Sequence, residues 1–242
     1  QLALKAMSNS AWSEQDITDL WQPYDDDYFL RHSVEDIVRQ TKQRLQQPDT
    51  DTLIKVRSYD DDGTKEIFIL TKDQPCVFAA IAVAIEQLQL NILDAKINTA
   101  SNGDLLNTYI VNGPERHNDE IINSIRQQLI DLDHIDAYCP KHTPRKMTLF
   151  ETAPVINFQA SEQNKHTILE LYTHDRPGLI STVADVFIQC SIHLINAKLI
   201  TLVDQVEDVF FVTSMTGKPL SLSQKAELKS ALETALTINE ET

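Results

Sequence analysis

The chain has 242 residues, 42% of them hydrophobic, and a formal net charge of −15 from 21 Lys and Arg against 36 Asp and Glu. This length suits two domains of ordinary size with an extension, and no apolar run is long enough to span a membrane. The acidic balance argues against a nucleic-acid scaffold, because phosphate binding needs concentrated positive charge.

The three cysteines, Cys76, Cys139 and Cys190, are far apart and include no CxxC pair. An odd number at wide spacing argues against a disulfide framework and predicts a reducing, cytoplasmic setting. The sequence carries neither a signal peptide nor a lipidation motif. It starts at Gln1 in a helix-like stretch, which indicates an excised piece of a longer protein.

Residues 1–50 carry helix signals and are predicted to form a helical segment. Ser13 and Ser33 each precede an acidic stretch with apolar residues at helical spacing, and both are typical N-cap residues. The acidic runs 25–27 and 60–62 lack the spaced acceptors of an EF-hand loop, so no metal site is predicted.

Residues 52–150 are predicted to form a first unit, because the hydrophobic period changes to two at residue 52. Apolar and polar residues alternate in the two stretches on either side of the acidic turn 60–63, which predicts a β-hairpin. The hairpin is followed by a predicted helix, two antiparallel strands and a second helix, at 75–88, 91–100, 105–111 and 120–132.

Residues 152–242 are predicted to form a second unit with the same order of elements. The predicted strands are 154–158, 167–172, 191–202 and 206–214, and the predicted helices are 177–189 and 223–236. Ser221 or Ser223 is the predicted cap of the last helix. The acids around Val206, up to Asp208, are predicted to lie in a solvated hairpin turn.

The pattern Thr-x-Asp-x-Pro occurs at 71–75 and again at 173–177, and this repeat indicates two copies of one small domain. Each copy reads ββαββα. The predicted fold class is α+β, with two ferredoxin-like units that each have a four-stranded antiparallel sheet and two helices on one face. The strand preceding each Thr-x-Asp-x-Pro pattern is predicted to take the edge position of a permuted ferredoxin-like sheet.

The second copy of the pattern is the strongest candidate for a ligand site. Asp175 is predicted to cap the following helix, and Pro177 suits the first helical turn. Gly178 leaves the backbone open to a ligand, so the helix amides would favour a carboxylate. A well-capped helix without a ligand explains the same residues.

Two strand residues are predicted to lie near these loops. Asn196 follows the helix of the second unit, and Asp94 occupies the matching place in the first. An Asn at the mouth of the loop would hold an amino or amide group, although a polar residue on an edge strand is an equal alternative.

The sequence shows no catalytic constellation. His174 beside Asp175 resembles the paired ligands of an HD phosphohydrolase, but the further metal ligands are missing. The chain has no P-loop, GxGxxG or GxSxG motif. We therefore expect these 242 residues to be regulatory and not catalytic.

Residues 175–179, read with residues 193–198, resemble an ACT domain, the small amino-acid-sensing module. The first unit resembles a more divergent copy, with Cys76 where that family favours glycine. This cysteine brings a side chain and restricts the backbone, which predicts an asymmetric pair. Residues 26–32, together with 78–80, 94–97 and 206–210, resemble the C-terminal region of the bifunctional PII uridylyltransferase/uridylyl-removing enzymes.

That resemblance implies a tandem ACT region that responds to glutamine as a nitrogen signal. It implies upstream nucleotidyltransferase and HD domains that add and remove uridylyl groups on PII proteins, with Mg²⁺ used there and no cofactor in this chain. Residues 1–50 would be the tail that connects the HD domain to the sensors. The implied ligand-binding residues are Asp175, Arg176, Pro177, Gly178, Leu179, Asn196, Asp73, Pro75 and Asp94.

Two other interpretations remain open. The units would form a ligand-free interaction module that binds PII or mediates dimerisation, in keeping with Cys76 and the exposed sheet edges of such units. Alternatively, the pair would regulate a different enzyme, such as an amino-acid biosynthetic enzyme or a nucleotide alarmone synthetase. The pairing of the two units, within the chain or across a dimer, is also left open.

Overall fold

The computed structural model describes residues 1–59, 63–74, 76–134, 153–161, 165–176, 178–202 and 205–237. Within these ranges the chain begins with four helices and continues as two ββαββα units. The four helices are α1 (Leu2–Ala6), α2 (Glu14–Trp21), α3 (Asp26–Arg31) and α4 (Val34–Gln46). No helix in these ranges is both long and apolar enough to cross a membrane.

Side-chain caps define where the early helices begin. Ser13 accepts a hydrogen bond from the Asp16 amide (3.1 Å), and Ser33 accepts one from the Asp36 amide (3.0 Å), so both predicted caps are confirmed. Asp25 caps α3 in the same way, through the Tyr28 amide. The acidic run at 25–27 therefore starts a helix, where carboxylates also suit the positive end of the helix dipole.

The two units contain matching elements. The first unit comprises β1 (Leu53–Ser58), β2 (Lys65–Lys72), α5 (Val77–Gln87), β3 (Asn91–Thr99), β4 (Asp104–Asn112) and α6 (Asn118–His134). The second unit comprises β5 (Val155–Ala160), β6 (Thr167–His174), α7 (Leu179–Gln189), β7 (Ile192–Leu202), β8 (Gln205–Ser214) and α8 (Leu222–Leu236). The predicted α+β class is confirmed, and Ser221 is the cap of α8.

All eight described strands join one antiparallel sheet in the order β1-β2-β4-β3-β7-β8-β6-β5. Each unit contributes four neighbouring strands, and the units meet where β3 pairs with β7, from Asp94 opposite Ile200 to Asn98 opposite Asn196. We call this junction the seam. The edges of the joined sheet are β1 and β5, the first strand of each hairpin. The prediction that the strand leading into the Thr-x-Asp-x-Pro pattern takes the edge is wrong, because β2 pairs with both β1 and β4, and β6 with both β5 and β8.

Helices α5 to α8 cover one face of the sheet, and α5 contacts α7 across the two units. Helices α1 to α4 pack on the opposite face of the first unit, and Arg31 of α3 also reaches β7 of the second unit. On this face of the first unit Tyr28 is 1% exposed and packs with Phe68 and Leu106, while Gln40 bonds both the Tyr28 hydroxyl (2.7 Å) and Thr108 (3.1 Å). The helix signals of residues 1–50 predict this helical segment but not the face on which it packs.

The first helix of each unit begins later than predicted. Helix α7 has Gly178 as its N-cap, in the left-handed region at φ 78° and without a side-chain cap, so the prediction that Asp175 caps this helix is wrong. Helix α5 likewise starts after Cys76, at φ 69°. The residues ahead of each helix form a separate turn, in which the Leu179 amide donates to the Arg176 carbonyl at 3.2 Å. Pro75 and Pro177 lie outside the described residues.

Candidate functional site

Two clefts lie between the units, on the helical face of the sheet. Each is formed by the Thr-x-Asp-x-Pro loop of one unit and by the end of the first helix of the other unit. We call them the α7 cleft and the α5 cleft, after the helix that follows the loop. Because both units line each cleft, a molecule bound in either would contact both.

The α7 cleft is small, with a volume of about 40 Å³. From the second unit, Asp175, Gly178 and Leu179 line it, together with Asp208 on β8. The end of α5 and the start of β3 close the other side, where Ser181 donates to Glu86 at 2.5 Å across the two units. The structure thus brings Asp175, Gly178 and Leu179 together, as the sequence predicted for a loop site.

Asp208 lines the α7 cleft from within a strand, and not from the predicted turn. It is 1% exposed and lies within β8, so its placement in a solvated turn is wrong. Its Oδ1 accepts a hydrogen bond from the Ile200 amide (3.2 Å), and its Oδ2 has no partner among the described residues. Alternation along the strand was the missed signal, since Val206 and Phe210 are both buried on the same face.

Burial determines the charge properties of the two carboxyl groups. It raises the pKa of Asp208 well above its usual value, although the Ile200 amide opposes this, and the nearby Asp175 charge raises it further. Burial also raises the pKa of Asp175, while the Arg176 amide lowers it. The cleft therefore holds two acids whose charged forms are poorly solvated, and a bound cation would stabilise them.

Arg176, a predicted ligand residue, points to a helix end. Its Nη1 donates to the Leu236 carbonyl (3.1 Å) and its Nη2 to the Ala235 carbonyl (3.3 Å), both in the last turn of α8. A cation at the C-terminal end of a helix satisfies open carbonyls and the negative end of the helix dipole. Burial lowers the pKa of this guanidinium. Its observed contacts fix the loop against α8.

The α5 cleft is larger and more apolar, with a volume of about 330 Å³. Asp73 contacts the His193 ring of the other unit, with 3.3 Å between Oδ2 and Nε2, and this hydrogen bond raises the pKa of His193. Asn107 takes the place that Asp208 has in the α7 cleft. In each unit this residue pairs with the strand residue that lies two positions before the threonine of the Thr-x-Asp-x-Pro pattern. Asn107 and Asp208 also each have one side-chain oxygen without a partner among the described residues.

Cys76 takes the left-handed N-cap position that Gly178 has in the second unit, with φ values of 69° and 78°. A residue with a Cβ is strained in this region, typically by about 1–2 kcal/mol. Cys190 is a free thiol.

Asn196 and Asp94 are in neither cleft. Both lie on the opposite face of the sheet, where they line a third cavity at the seam beside Arg31 of α3. Successive side chains of a strand point to opposite faces, so a residue near a loop in sequence need not share its face. Arg31 Nη1 donates to the Asn196 side-chain oxygen, which supplies Asn196 with a partner inside the protein. Among the described residues no cluster of His, Cys, Asp or Glu is arranged to hold a metal ion.

Comparisons with known proteins match the chain along its length. A family model described as the uridylyltransferase GlnD fifth domain matches residues 1–43. The bifunctional uridylyltransferase/uridylyl-removing enzyme of Pseudomonas syringae pv. tomato is 36% identical over 99% of this chain, and that of Nitrosococcus oceani is 35% identical over 97%. The chain spans 28% of the length of each of these relatives.

Among solved structures, a putative glycine cleavage system transcriptional repressor aligns with 72% of this chain and 92% of its own, at 19% identity. The TM-score of 0.25 is too low for this similarity to support a conclusion about fold or function.

Proposed function

Because this chain corresponds, over 97–99% of its length, to a C-terminal region of the bifunctional uridylyltransferase/uridylyl-removing enzymes, we propose that it is their regulatory region and that it senses glutamine. In this proposal residues 1–50 are the helical tail of a preceding catalytic domain, and residues 52–150 and 152–242 are two ACT domains. The tail and the sensors work in the cytoplasm, and their parent enzyme modifies PII proteins.

The observation that carries the proposal is the buried Asp208 carboxylate in the α7 cleft. Its Oδ2 has no partner among the described residues, and Asp175 lies close enough to raise its pKa. A buried carboxylate without a partner is costly, and an ammonium group is the natural ion to neutralise it. The α-ammonium of an amino acid would fill this role.

The α-carboxylate of an amino acid would also find a binding site in the same cleft. The N-cap Gly178 provides no side chain to accept from the first-turn amides of α7. Such amides, at the positive end of the helix dipole, favour a carboxylate. The cleft thus offers an anion site and a cation site beside each other, as a zwitterion requires. Glutamine is the amino acid implied by the family resemblance.

The size of the α7 cleft supplies a link to regulation. A volume of about 40 Å³ holds a group of the size of a water molecule, so a whole glutamine enters only if the cleft opens. Its walls belong to different units, since the loop precedes α7 and the facing residues end α5. Binding would therefore favour a more open arrangement of the units, and a ligand that prefers one arrangement shifts the population towards it.

Calorimetry of the purified chain with glutamine, and with glutamate as the control ligand, tests the proposal. We expect glutamine to bind and Asp208→Asn to weaken binding by about 10–100-fold, since a hydrogen bond to a charged group contributes about 1.5–3 kcal/mol. The matched control is Glu207→Gln, which makes the same charge change on the exposed neighbour of Asp208 and should leave the affinity unchanged. Asp73→Asn changes the loop of the α5 cleft and should not weaken binding.

The results show whether glutamine binds at all and, if it does, which of the two clefts holds it. Glutamine that binds to the Asp208→Asn protein but not to the Asp73→Asn protein would contradict the α7 cleft and favour the α5 cleft. Absence of any heat at millimolar glutamine, with a folded protein, would contradict sensing by this chain and favour a ligand-free interaction module.

A further inference from the structure

The seam cavity, on the face of the sheet away from the two clefts, has the features of a separate binding site. Its volume is about 570 Å³, within the range of small-molecule sites. Helix α3 forms one side and strands β3, β7 and β8 form the floor. Its lining includes the cations Arg31, Lys96 and Lys198 and the apolar residues Leu30, Val209 and Phe211.

Two lysines face each other in the floor of this cavity. Lys96 of β3 pairs in register with Lys198 of β7, and both line the cavity. Like charges directly opposite each other across two strands are destabilising. Neither lysine has an ion pair within the described ranges of the chain. An anion held between the two ammonium groups would remove this repulsion.

A third cation is fixed at the side of the cavity by α3. Arg31 donates through Nη1 to the Asn196 side chain and through Nη2 to the Ala197 carbonyl at 2.5 Å, so its guanidinium is held against β7. Burial lowers the pKa of Arg31, whereas Asp27 and Asp94 favour its charged form. Asp27 and Asp94 carry two negative charges against the one positive charge of Arg31, so the three cations and two acids that line the cavity sum to +1. The positive charge is concentrated where Lys96 and Lys198 pair, and this pair is the part of the lining that suits an anion.

The remaining wall of the cavity is apolar. Leu30 is 81% exposed, and Val209 and Phe211 are half-buried on the outer face of β8. Leu30 and Phe211 both line the cavity, and the Phe211 ring also packs edge-to-face with the His166 ring, with 5.3 Å between the ring centroids. This apolar wall offers a surface on which a flat ring packs. A cavity with two cations on its floor and this wall beside them suits a ligand that joins a small dianion to a planar ring.

We propose that the seam cavity binds a nucleoside 5′-monophosphate, with the phosphate between Lys96 and Lys198 and the base against Leu30 and Phe211. A phosphate monoester carries close to two negative charges at neutral pH, which matches the two lysines. The nucleotide site is independent of the glutamine proposal. The α7-cleft residues that would bind glutamine do not line the seam cavity.

Calorimetric titration of the chain with AMP tests the site, with adenosine and inorganic phosphate as the two partial ligands. We expect AMP to bind at least about tenfold more tightly than either, because each lacks one half of the recognised chemistry. The affinity should fall as the salt concentration rises, since exposed charges are screened. Adenosine or phosphate binding as tightly as AMP would overturn the proposal.

Variants locate the binding. Lys198→Gln should weaken AMP binding about tenfold, the size expected for one lost charge-assisted hydrogen bond. Lys198 is exposed, so the variant should remain folded, and thermal unfolding checks this. Lys55→Gln makes the same charge change on the edge strand β1 and should leave the affinity unchanged. Equal weakening by both substitutions, no weakening by Lys198→Gln, or no binding of AMP at millimolar concentration would each overturn the site.

Discussion

At the scale of single residues, Asp208 shows how a strand position becomes a site. Its backbone belongs to a regular β-strand. The carboxyl group is buried because the side chain lies on the face of the sheet that the helices cover. The sequence predicted that Asp175, Gly178 and Leu179 lie together, because the repeated pattern marks them, and all three line one cleft. It could not predict Asp208, because an acid near a hairpin is more often solvated, and burial depends on strands that are distant in sequence.

Asp208→Asn is predicted to stabilise the folded chain at neutral pH. The pKa of Asp208 is raised in the folded state, so its contribution to stability is full below the ordinary aspartate pKa and is lost as the pH rises through the raised value. An amide does not titrate and can still accept from Ile200. We expect a gain of about 1–3 kcal/mol in the free energy of unfolding at neutral pH, because the substitution removes a poorly solvated charge, for which an unsatisfied buried group costs most.

Urea unfolding of both proteins between about pH 5 and pH 8 measures this gain. The advantage of the variant should shrink towards the acid end. Glu207→Gln, on the exposed neighbouring residue, is the matched control and should change stability by less than about 0.5 kcal/mol. A loss of stability in Asp208→Asn would show that the carboxylate has a partner in solution.

At the scale of elements, the sequence predicted the order of helices and strands well, because periods of two and 3.6 residues alternate clearly. The starts of α5 and α7 were predicted too early. An Asp and a Pro ahead of a helix usually mark its first turn, but here an extra turn with a left-handed residue separates them from the helix. The same left-handed conformation recurs just past the other ends of these helices, at Gln89 (φ 62°) and Ser191 (φ 54°).

Gln89→Gly is predicted to stabilise the chain by about 1 kcal/mol, because glycine adopts a left-handed conformation without the Cβ penalty. Gln89 is exposed, so its side chain contributes little packing. Gln87→Gly, two residues earlier and at the end of α5, should instead cost about 0.5–1 kcal/mol. Thermal unfolding of the two variants compares them directly, and a destabilised Gln89→Gly would contradict the strain at this position.

At the scale of the whole molecule, the seam joins two units that the sequence could only describe separately. Edge strands are expected to pair with another strand. However, the sequence of neither β3 nor β7 identifies the strand with which it pairs. The register of the seam, and hence the position of Lys96 opposite Lys198, follows from tertiary packing. The same limit applies to the contact between Asp73 and His193, which lie more than a hundred residues apart and link the two units.

The Asp73–His193 contact is predicted to make the union of the units weaken as the pH rises. The hydrogen bond to Asp73 raises the pKa of His193 in the folded state, so the stabilisation is full below the ordinary histidine pKa and is lost as the pH rises through the raised value. The difference in unfolding free energy between the natural chain and His193→Gln should therefore be largest in acid and should shrink with rising pH.

A second histidine provides a control of opposite sign. Burial lowers the pKa of His166, so its contribution should be lost as the pH falls, and the difference for His166→Gln should shrink towards acid. Asp73→Asn should remove the pH dependence seen with His193→Gln. If the free-energy differences for both histidine variants change with pH in the same direction, the Asp73–His193 contact is not the cause of the pH dependence.

The single-chain seam has a consequence for how the two clefts can change. In a symmetric dimer of identical units, every substitution would appear in both interfaces at once. Here each cleft is encoded separately, so one can keep Gly178 and Asp208 while the other holds Cys76 and Asn107. Fusion of the two units thus allows one interface to specialise while its twin preserves the assembly.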